Sequence, residues 1–192
     1  MKVIVGLGNP GAEYAQTRHN LGWRAVESFI RRHGAGRSDR RYSAYVNEAT
    51  FKGEPVLLVR PRTLMNRSGK SVLGAVSATG VAPEQLMVVA DDIHLAAGRL
   101  RVRSSGSSGG HNGLASIIEA LGGNGWPRIR IGVGEPPAGA DQSDYVLSGA
   151  GSPEEKKALD EAVERAVDAL ETWLKEGIEV CMSMVNSGRV IS

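Results

Sequence analysis

Two periodicities run through the 192-residue chain. Short aliphatic runs read as buried strands: Val3, Ile4 and Val5 within residues 2–7, and residues 86–90, which end in Asp91-Asp92. Residues 42–51 and 55–60 read as neighbouring strands joined by Lys52-Gly53-Glu54 and closed by Pro61. Leu100 and Val102 alternate with Arg99, Arg101 and Arg103, which predicts a half-exposed strand with a basic face, and residues 128–133 alternate in the same way. Helical spacing is carried by Trp23, Val26, Phe29 and Ile30, by residues 71–79, and by Leu114, Ile117, Ile118 and Leu121. The stripe Leu159, Val163, Val167, Leu170 and Leu174 follows Ser152-Pro153-Glu154-Glu155, a capping box with proline in the first turn. Gly177 ends that helix, and a last one is expected near residues 180–185. Residues 31–41, 63–69, 104–110 and 134–151 lack either period and read as loops, the first basic and mobile, the third a flexible Ser/Gly segment. Alternating strands and helices predict an α/β fold: a single three-layer domain over residues 1–192, with helices on both faces of a twisted sheet. The hairpin-like pair at 42–60 predicts a mixed sheet.

Composition changes this picture little. At 41% hydrophobic and 23% charged, the chain is ordinary for a soluble globule. No apolar run approaches the length of a membrane helix, and no leader-like opening is present, so no membrane partner is expected. One cysteine, Cys181, excludes an internal disulfide and a multi-cysteine metal site, and suits a reducing cytoplasm. Charge is uneven: residues 18–70 hold 12 basic against 4 acidic side chains, and residues 135–179 hold 4 against 12. That +8 against −8 points to an anionic partner on one side, or to a solvated surface with scattered charge.

The organising stretch is residues 6–20, Gly-Leu-Gly-Asn-Pro-Gly-Ala-Glu-Tyr-Ala-Gln-Thr-Arg-His-Asn. A strand running into Gly8-Asn9-Pro10-Gly11 places short polar side chains at the rim of a sheet, where open α/β sheets bind ligands. Gly6-x-Gly8-x-x-Gly11 also spells the dinucleotide fingerprint. That motif needs a helix at once and an acidic residue after a second strand; Pro10 delays the helix, and Glu27 falls inside it. Gly106-x-Ser108-x-Gly110 spells a nucleophile elbow, but no strand leads into it and the only later histidine is His111. Asp91, Asp92 and His94 have metal-binding letters without a second histidine cluster, and read as polar residues at a strand end. His33 reads as solvated. His19 could meet a carboxylate from another strand end, Asp91 being the best placed, and would then be a competent base for water. The residues alone favour the other reading, a structural histidine.

The order of motifs goes further. Gly6-Leu-Gly-Asn-Pro-Gly-x-Glu-Tyr-x-x-Thr-Arg-His-Asn20, Leu64-Met65-Asn66-x-Ser68-Gly69, Asp91 at its strand end, Gly109-Gly110-His111-Asn112-Gly113-Leu114 and Arg130-Ile-Gly-Val-Gly134 resemble bacterial peptidyl-tRNA hydrolase, with a weaker echo at Tyr145-Val146-Leu147. The resemblance implies a metal-free, cofactor-free, monomeric enzyme. Its activity would be hydrolysis of the ester joining a peptide to the 3′ ribose of tRNA, recycling tRNA from stalled or dropped-off translation products. It places His19 as the base, Asp91 as the carboxylate that holds it, and Asn9, Asn66 and Asn112 as amides lining the peptide and ester site. Tyr14, Leu64, Met65 and His111 fall at neighbouring substrate positions, and Arg103 and Arg130 at positions that grip tRNA phosphates. Leu64 stands where an aromatic is common, His94-Leu-Ala-Ala97 replaces an acidic, proline-rich turn, and residues 104–108 replace a glycine-rich stretch. A non-hydrolytic RNA-binding relative is the competing class, and the retained His19, Asp91 and three asparagines argue against it.

Overall fold

The computed structural model describes residues 1–188. Seven strands form one mixed sheet: β1 (Lys2–Gly6), β2 (Asp39–Arg41), β3 (Ala44–Phe51), β4 (Glu54–Pro61), β5 (Leu86–Asp92), β6 (Leu100–Arg103) and β7 (Arg128–Gly132), in the order β2-β3-β4-β1-β5-β7-β6. β4, β1, β5 and β7 are parallel, while β3, β2 and β6 pair antiparallel at the flanks. The helices are α1 (Leu21–His33), α2 (Ser68–Thr79), α3 (Asn112–Leu121), α4 (Gln142–Val146), α5 (Pro153–Glu176) and α6 (Ile178–Asn186).

A strand sends successive side chains to opposite faces, and the core divides accordingly. Ile4, Leu58, Met87, Val89, Ile129 and Ile131 pack with Ala25, Val26 and Phe29 of α1, with the predicted stripe of α5, and with Cys181 of α6. Val3, Val5, Leu57, Val59, Val88 and Ala90 pack with Val72 and Ala75 of α2, Leu114 and Ile117 of α3, and Trp126. Burial pushes the Cys181 thiol up to about 12.

The chain leaves β1 through α1 toward β2, β3 and β4. It then returns through α2 across β1 to β5. The strand order therefore reverses beside β1, and the carboxyl ends of β4, β1 and β5 open on one crevice. Two glycines set the depth of that crevice. A Cβ on Gly22 would lie 2.1 Å from Val89 O, and one on Gly6 would lie 2.2 Å from Gly22 O. The first turn of α1 thus rests on strand backbone, tied by Trp23 N–H to Leu7 O at 2.9 Å. Residues 18–20, just before α1, are drawn onto the ends of β1 and β5.

Several expectations change. The basic stretch 31–41 is not simply a loop. Its start is the last turn of α1, and Asp39–Arg41 adds an edge strand to β3. His33 is not free in solvent; its Nε2 lies 2.9 Å from Glu171 and its ring packs against Phe29 and Phe51. Residues 134–151 contain α4, capped by the Asp141 side chain on Asp144 N–H at 3.0 Å. At α5, Ser152 caps Glu155 N–H as predicted, but Glu155 accepts from Gly151 N–H rather than closing the box on Ser152. Part of the charge asymmetry is spent internally. Arg24 meets Asp160, and Arg32 meets Glu164, Asp168 and Glu171 along the α1–α5 seam at 2.9, 2.5 and 2.7 Å.

The far edge, β6, is closed by a side chain. Asn186 of α6 accepts from Val102 N–H and donates to Val102 O, both at 2.9 Å, taking the bonds a further strand would make.

Gly22→Ala should lower stability by about 3 kcal/mol or more, because backbone oxygen rather than a flexible side chain meets the new methyl. Thermal and urea unfolding measure this; an unchanged midpoint would contradict the direct α1–sheet contact.

Candidate active site

The crevice holds a cleft of about 680 Å³ lined by Asn9, Tyr14, His19, Leu64, Met65, Asn66, Asp91, His111, Asn112 and Arg130 among others. All the predicted site residues meet here except Arg103. That residue is exposed on the edge strand β6, pairing across from Arg128.

Each element delivers its side chain for a local reason. Asn9 follows β1 in the Gly-Asn-Pro-Gly turn. Its backbone N–H donates to Asn20 Oδ1 at 2.8 Å and its C=O accepts from Asn20 Nδ2 at 2.9 Å, so one amide clamps the other residue's backbone on both sides. Asn9 Oδ1 accepts from Met65 N–H at 2.9 Å. With that oxygen engaged, the Nδ2 amide is the group Asn9 offers to the cleft. His19 sits in the 3-10 turn Arg18–Asn20 ahead of α1 and is mostly buried.

Asp91 lies at the end of β5, 2% exposed. His19 Nδ1 approaches its Oδ1 at 2.9 Å and its Oδ2 at 3.1 Å. His111 Nε2 approaches the same Oδ1 at 3.0 Å. His111 is also the N-cap of α3, its Nδ1 accepting from Gly113 and Leu114 N–H at 3.1 and 3.3 Å. Accepting there fixes the tautomer: Nδ1 carries the lone pair and Nε2–H donates to Asp91. Two donors on a carboxylate likewise put the His19 proton on Nδ1 and its lone pair on Nε2. Burial alone would raise the Asp91 carboxyl, but His111 and His19 together override it and hold it below the usual carboxylate range. His19, Asp91 and His111 also bring ligand-type atoms within 4.8 Å of one another, the one such trio among the described residues. Their separations are those of hydrogen bonds.

The neighbours of this trio are buried polar groups with partners. Asp92, expected as a surface residue, is buried; it accepts from Arg130 Nη1 at 3.1 Å and from His94 N–H at 2.8 Å. Arg130 Nη2 also donates to Ser107 O at 2.7 Å. Arg128, expected on an exposed face, is 1% exposed. Its guanidinium donates to the carbonyls of Trp126, Asn124, Gly106 and Ser107 and lies 3.9 Å from the Trp126 ring centre. Burial, then the charge of Arg130, pushes it down to about 10. These two arginines pin the Ser/Gly segment that the sequence presents as free.

Sequence reasoning missed Arg18, Asn20 and the segment 141–147. Arg18 is buried, stacks 4.2 Å from the Tyr145 ring centre, and donates to Glu155 Oε1 at 2.9 Å and Ser148 Oγ at 2.7 Å. It thereby fastens α4, whose Gln142, Ser143 and Val146 form one wall of the cleft, beside the histidine. The pairing of Arg18 with the 145–155 region across more than a hundred residues left no local signal. The Tyr145-Val146-Leu147 echo was its only trace.

A family model for peptidyl-tRNA hydrolase matches residues 3–191. A peptidyl-tRNA hydrolase of Syntrophomonas wolfei is 45% identical over 186 residues, covering 97% of this chain and 100% of that protein. One of Alkaliphilus oremlandii is 46% identical over 186 residues, with the same coverage. The crystal structure of peptidyl-tRNA hydrolase from Acinetobacter baumannii superposes with a TM-score of 0.91 at 34% identity, covering 97% of this chain and 95% of that one.

The depressed Asp91 carboxyl makes stability depend on pH. Its folded value lies below the unfolded one of about 4, so its contribution is complete above that range and is lost as pH falls through the folded value. The unfolding free energy of the wild type should therefore fall toward that of Asp91→Asn as pH drops below about 4. Urea midpoints of both proteins across that window measure it; a constant difference would contradict the ionised, doubly bonded carboxylate.

Proposed function

The chain belongs to the peptidyl-tRNA hydrolase family, enzymes acting on an ester bond, and from that premise we propose how its cleft performs the hydrolysis. The observation that carries the reading is the His19–Asp91 pair opening on the cleft beside the Asn9 amide. His19 Nε2 takes a proton from water as the water oxygen attacks the ester carbonyl carbon. Asp91, donated to by both imidazoles, keeps its charge and stabilises the imidazolium without taking the proton. The carbonyl oxygen becomes an oxyanion, and Asn9 Nδ2, held by Met65 N–H on its oxygen side, donates to it. Asn66 and Asn112 supply further neutral amides to the peptide. The tetrahedral carbon then releases the 3′ ribose oxygen, which recovers the proton from His19. The products are a peptide carboxylate and free tRNA.

Tyr14, Leu64, Met65 and His111 shape the peptide side, with His111 additionally bonded to Asp91. Arg103, exposed on β6, and Arg130, at the cleft wall, grip tRNA phosphates. Arg130 is already bonded to Asp92 and Ser107, so a phosphate shares a guanidinium that is held in place. The base and the donors are all side chains of this chain, so the reaction as proposed needs no metal, cofactor or second copy. The enzyme works as a monomer in the cytoplasm. Among the described residues no helix is long and apolar enough to cross a membrane.

His19→Ala should abolish turnover of peptidyl-tRNA while leaving tRNA affinity nearly intact, because the ring acts on water and not on phosphate. Asp91→Asn should cost less, since the base remains and only its orienting charge is lost. Single-turnover hydrolysis and equilibrium binding measure the two effects. Near-normal hydrolysis by His19→Ala would overturn the assignment.

The cleft should also spare aminoacyl-tRNA, whose α-nitrogen can carry a proton. The two buried carboxylates at the cleft are engaged, Asp91 by two imidazoles and Asp92 by Arg130, while Asp141 is exposed and caps α4 through the Asp144 N–H. An ammonium brought there loses its water and faces the Asn9 N–H donors instead of an open acceptor. N-acetylaminoacyl-tRNA should be preferred over the free form by roughly 10⁴ in kcat/KM. Asn9→Ala should lower kcat by about 10²–10³ on the preferred substrate, and should narrow the preference. Equal wild-type rates on the two substrates would refute this.

A further inference from the structure

Residues 18–20 send three consecutive side chains to three different parts of the fold. Arg18 reaches Tyr145, Ser148 and Glu155, and His19 reaches Asp91 on β5. Asn20 reaches back to the turn after β1, where its carboxamide bonds the backbone of Asn9 on both sides. All three residues are buried. The base and the clamp on Asn9 are therefore neighbours in one 3-10 turn.

Asn20 occupies the N-cap position of α1, and an asparagine there ordinarily accepts from the N–H of the second or third helical residue. Its side chain makes no such bond. The N–H of Trp23, the third helical residue, goes instead to Leu7 O at 2.9 Å. Backbone at the end of β1 thus serves the helix start, and the Asn20 side chain is free for Asn9. Gly8 leaves room for it: a Cβ there would stand 3.0 Å from Asn20 Cγ and 2.9 Å from Trp23 Cβ. A carboxamide has both halves the contact needs, an oxygen for the Asn9 N–H and an N–H for the Asn9 C=O. Asn9 is then held at three atoms, its backbone N–H and C=O by Asn20 and its Oδ1 by the Met65 N–H. Those three bonds set where its Nδ2 points.

We propose that Asn20 is a positioning residue for the hydrolysis, holding the Asn9 amide at the separation from His19 that attack on the ester requires. This rests on the reading that Asn9 Nδ2 donates to the oxyanion. Asn20 does not line the cleft and acts only through Asn9. Its place next to His19 in the chain couples donor and base, so a movement of the turn carries both together. Misplacing a reacting group by about 1 Å costs ~10² in rate, so loss of the clamp falls on kcat. The α1 cap is not lost with it, because the Asn20 side chain makes none.

Steady-state hydrolysis of N-acetylaminoacyl-tRNA by the full chain tests this through a double-mutant cycle. Asn20→Ala should lower kcat by about 10-fold to 10²-fold, with KM and affinity for deacylated tRNA unchanged. In an Asn9→Ala background the same change should cost at most about twofold, because residues that act as one unit are not additive. Arg18→Lys loosens the same turn toward α4 instead, and its loss should add in full to that of Asn9→Ala. Asn20→Asp keeps the size and the acceptor for the Asn9 N–H. Ionised, the introduced carboxyl sets an oxygen against the Asn9 C=O; protonated, it donates there again. Its kcat as a fraction of wild type, a ratio that cancels the titration of His19, should therefore rise as pH falls. Circular dichroism and unfolding midpoints report whether the variants are folded, and if Asn20→Ala is not, the pH ratio of Asn20→Asp decides. Near-normal kcat in Asn20→Ala, a loss confined to KM, or losses that add in full with Asn9→Ala would overturn the proposal. So would a ratio that does not change with pH. Wild-type kcat in Asn9→Ala alone would instead refute the oxyanion donor itself, and the role of its clamp with it.

Discussion

A buried carboxylate is the constraint around which this chain is built. Asp91 sits at the end of a central strand where water does not reach, and an isolated charge there would be driven to neutralise. It stays ionised because two imidazole N–H groups point at it. Everything nearby serves that arrangement. The glycine contacts of α1 bring His19 onto the strand ends. The cap of α3 turns His111 so that its remaining nitrogen faces the carboxylate. Each ring thereby has one tautomer and one orientation, and the Nε2 lone pair of His19 is left toward the cleft.

The surrounding polar network follows the same logic of local satisfaction. Asn20 holds the backbone of Asn9, Met65 holds its side-chain oxygen, and Arg18 ties the turn to the far wall. None of these contacts is large singly. Together they leave the cleft few ways to relax, which is what a site aiming neutral donors at a developing charge requires. The buried Arg128 extends this to the Ser/Gly segment, replacing the stiffness its sequence lacks with hydrogen bonds from a guanidinium to four backbone carbonyls.

Much of this was legible in the sequence because hydrophobic period and turn chemistry act locally. The strands carrying Val3–Val5 and residues 86–90, the α5 stripe and the Gly-Asn-Pro-Gly turn all declare themselves within a few residues. The family resemblance carried by the motifs names the residues that the fold brings to one cleft. What escaped was held by partners distant in sequence. Asp39–Arg41 has no apolar residue and becomes a strand only because β3 offers it a ladder. α4 is five polar-rich residues, steadied by a cap and by Arg18. Arg128 looks exposed by alternation, yet an interior strand position with carbonyls and an indole around it buries the charge. The excess of positive charge over residues 18–70 leaves a partner's footprint and a solvated surface equally open, and the α1–α5 seam absorbs part of it.

The closure of β6 by Asn186 has a consequence of a different kind. A sheet of seven strands must end somewhere, and an end with free amides is a template on which another chain can lay itself down. Here a single carboxamide from the last helix occupies the donor and acceptor of Val102. The order of synthesis makes this the final seal: β6 is complete more than eighty residues before Asn186 emerges. During that interval the flank is guarded only by the like charges of Arg99, Arg101 and Arg103, which repel a second copy of the same strand. The like charges of that basic face would then keep half-made copies of the chain apart.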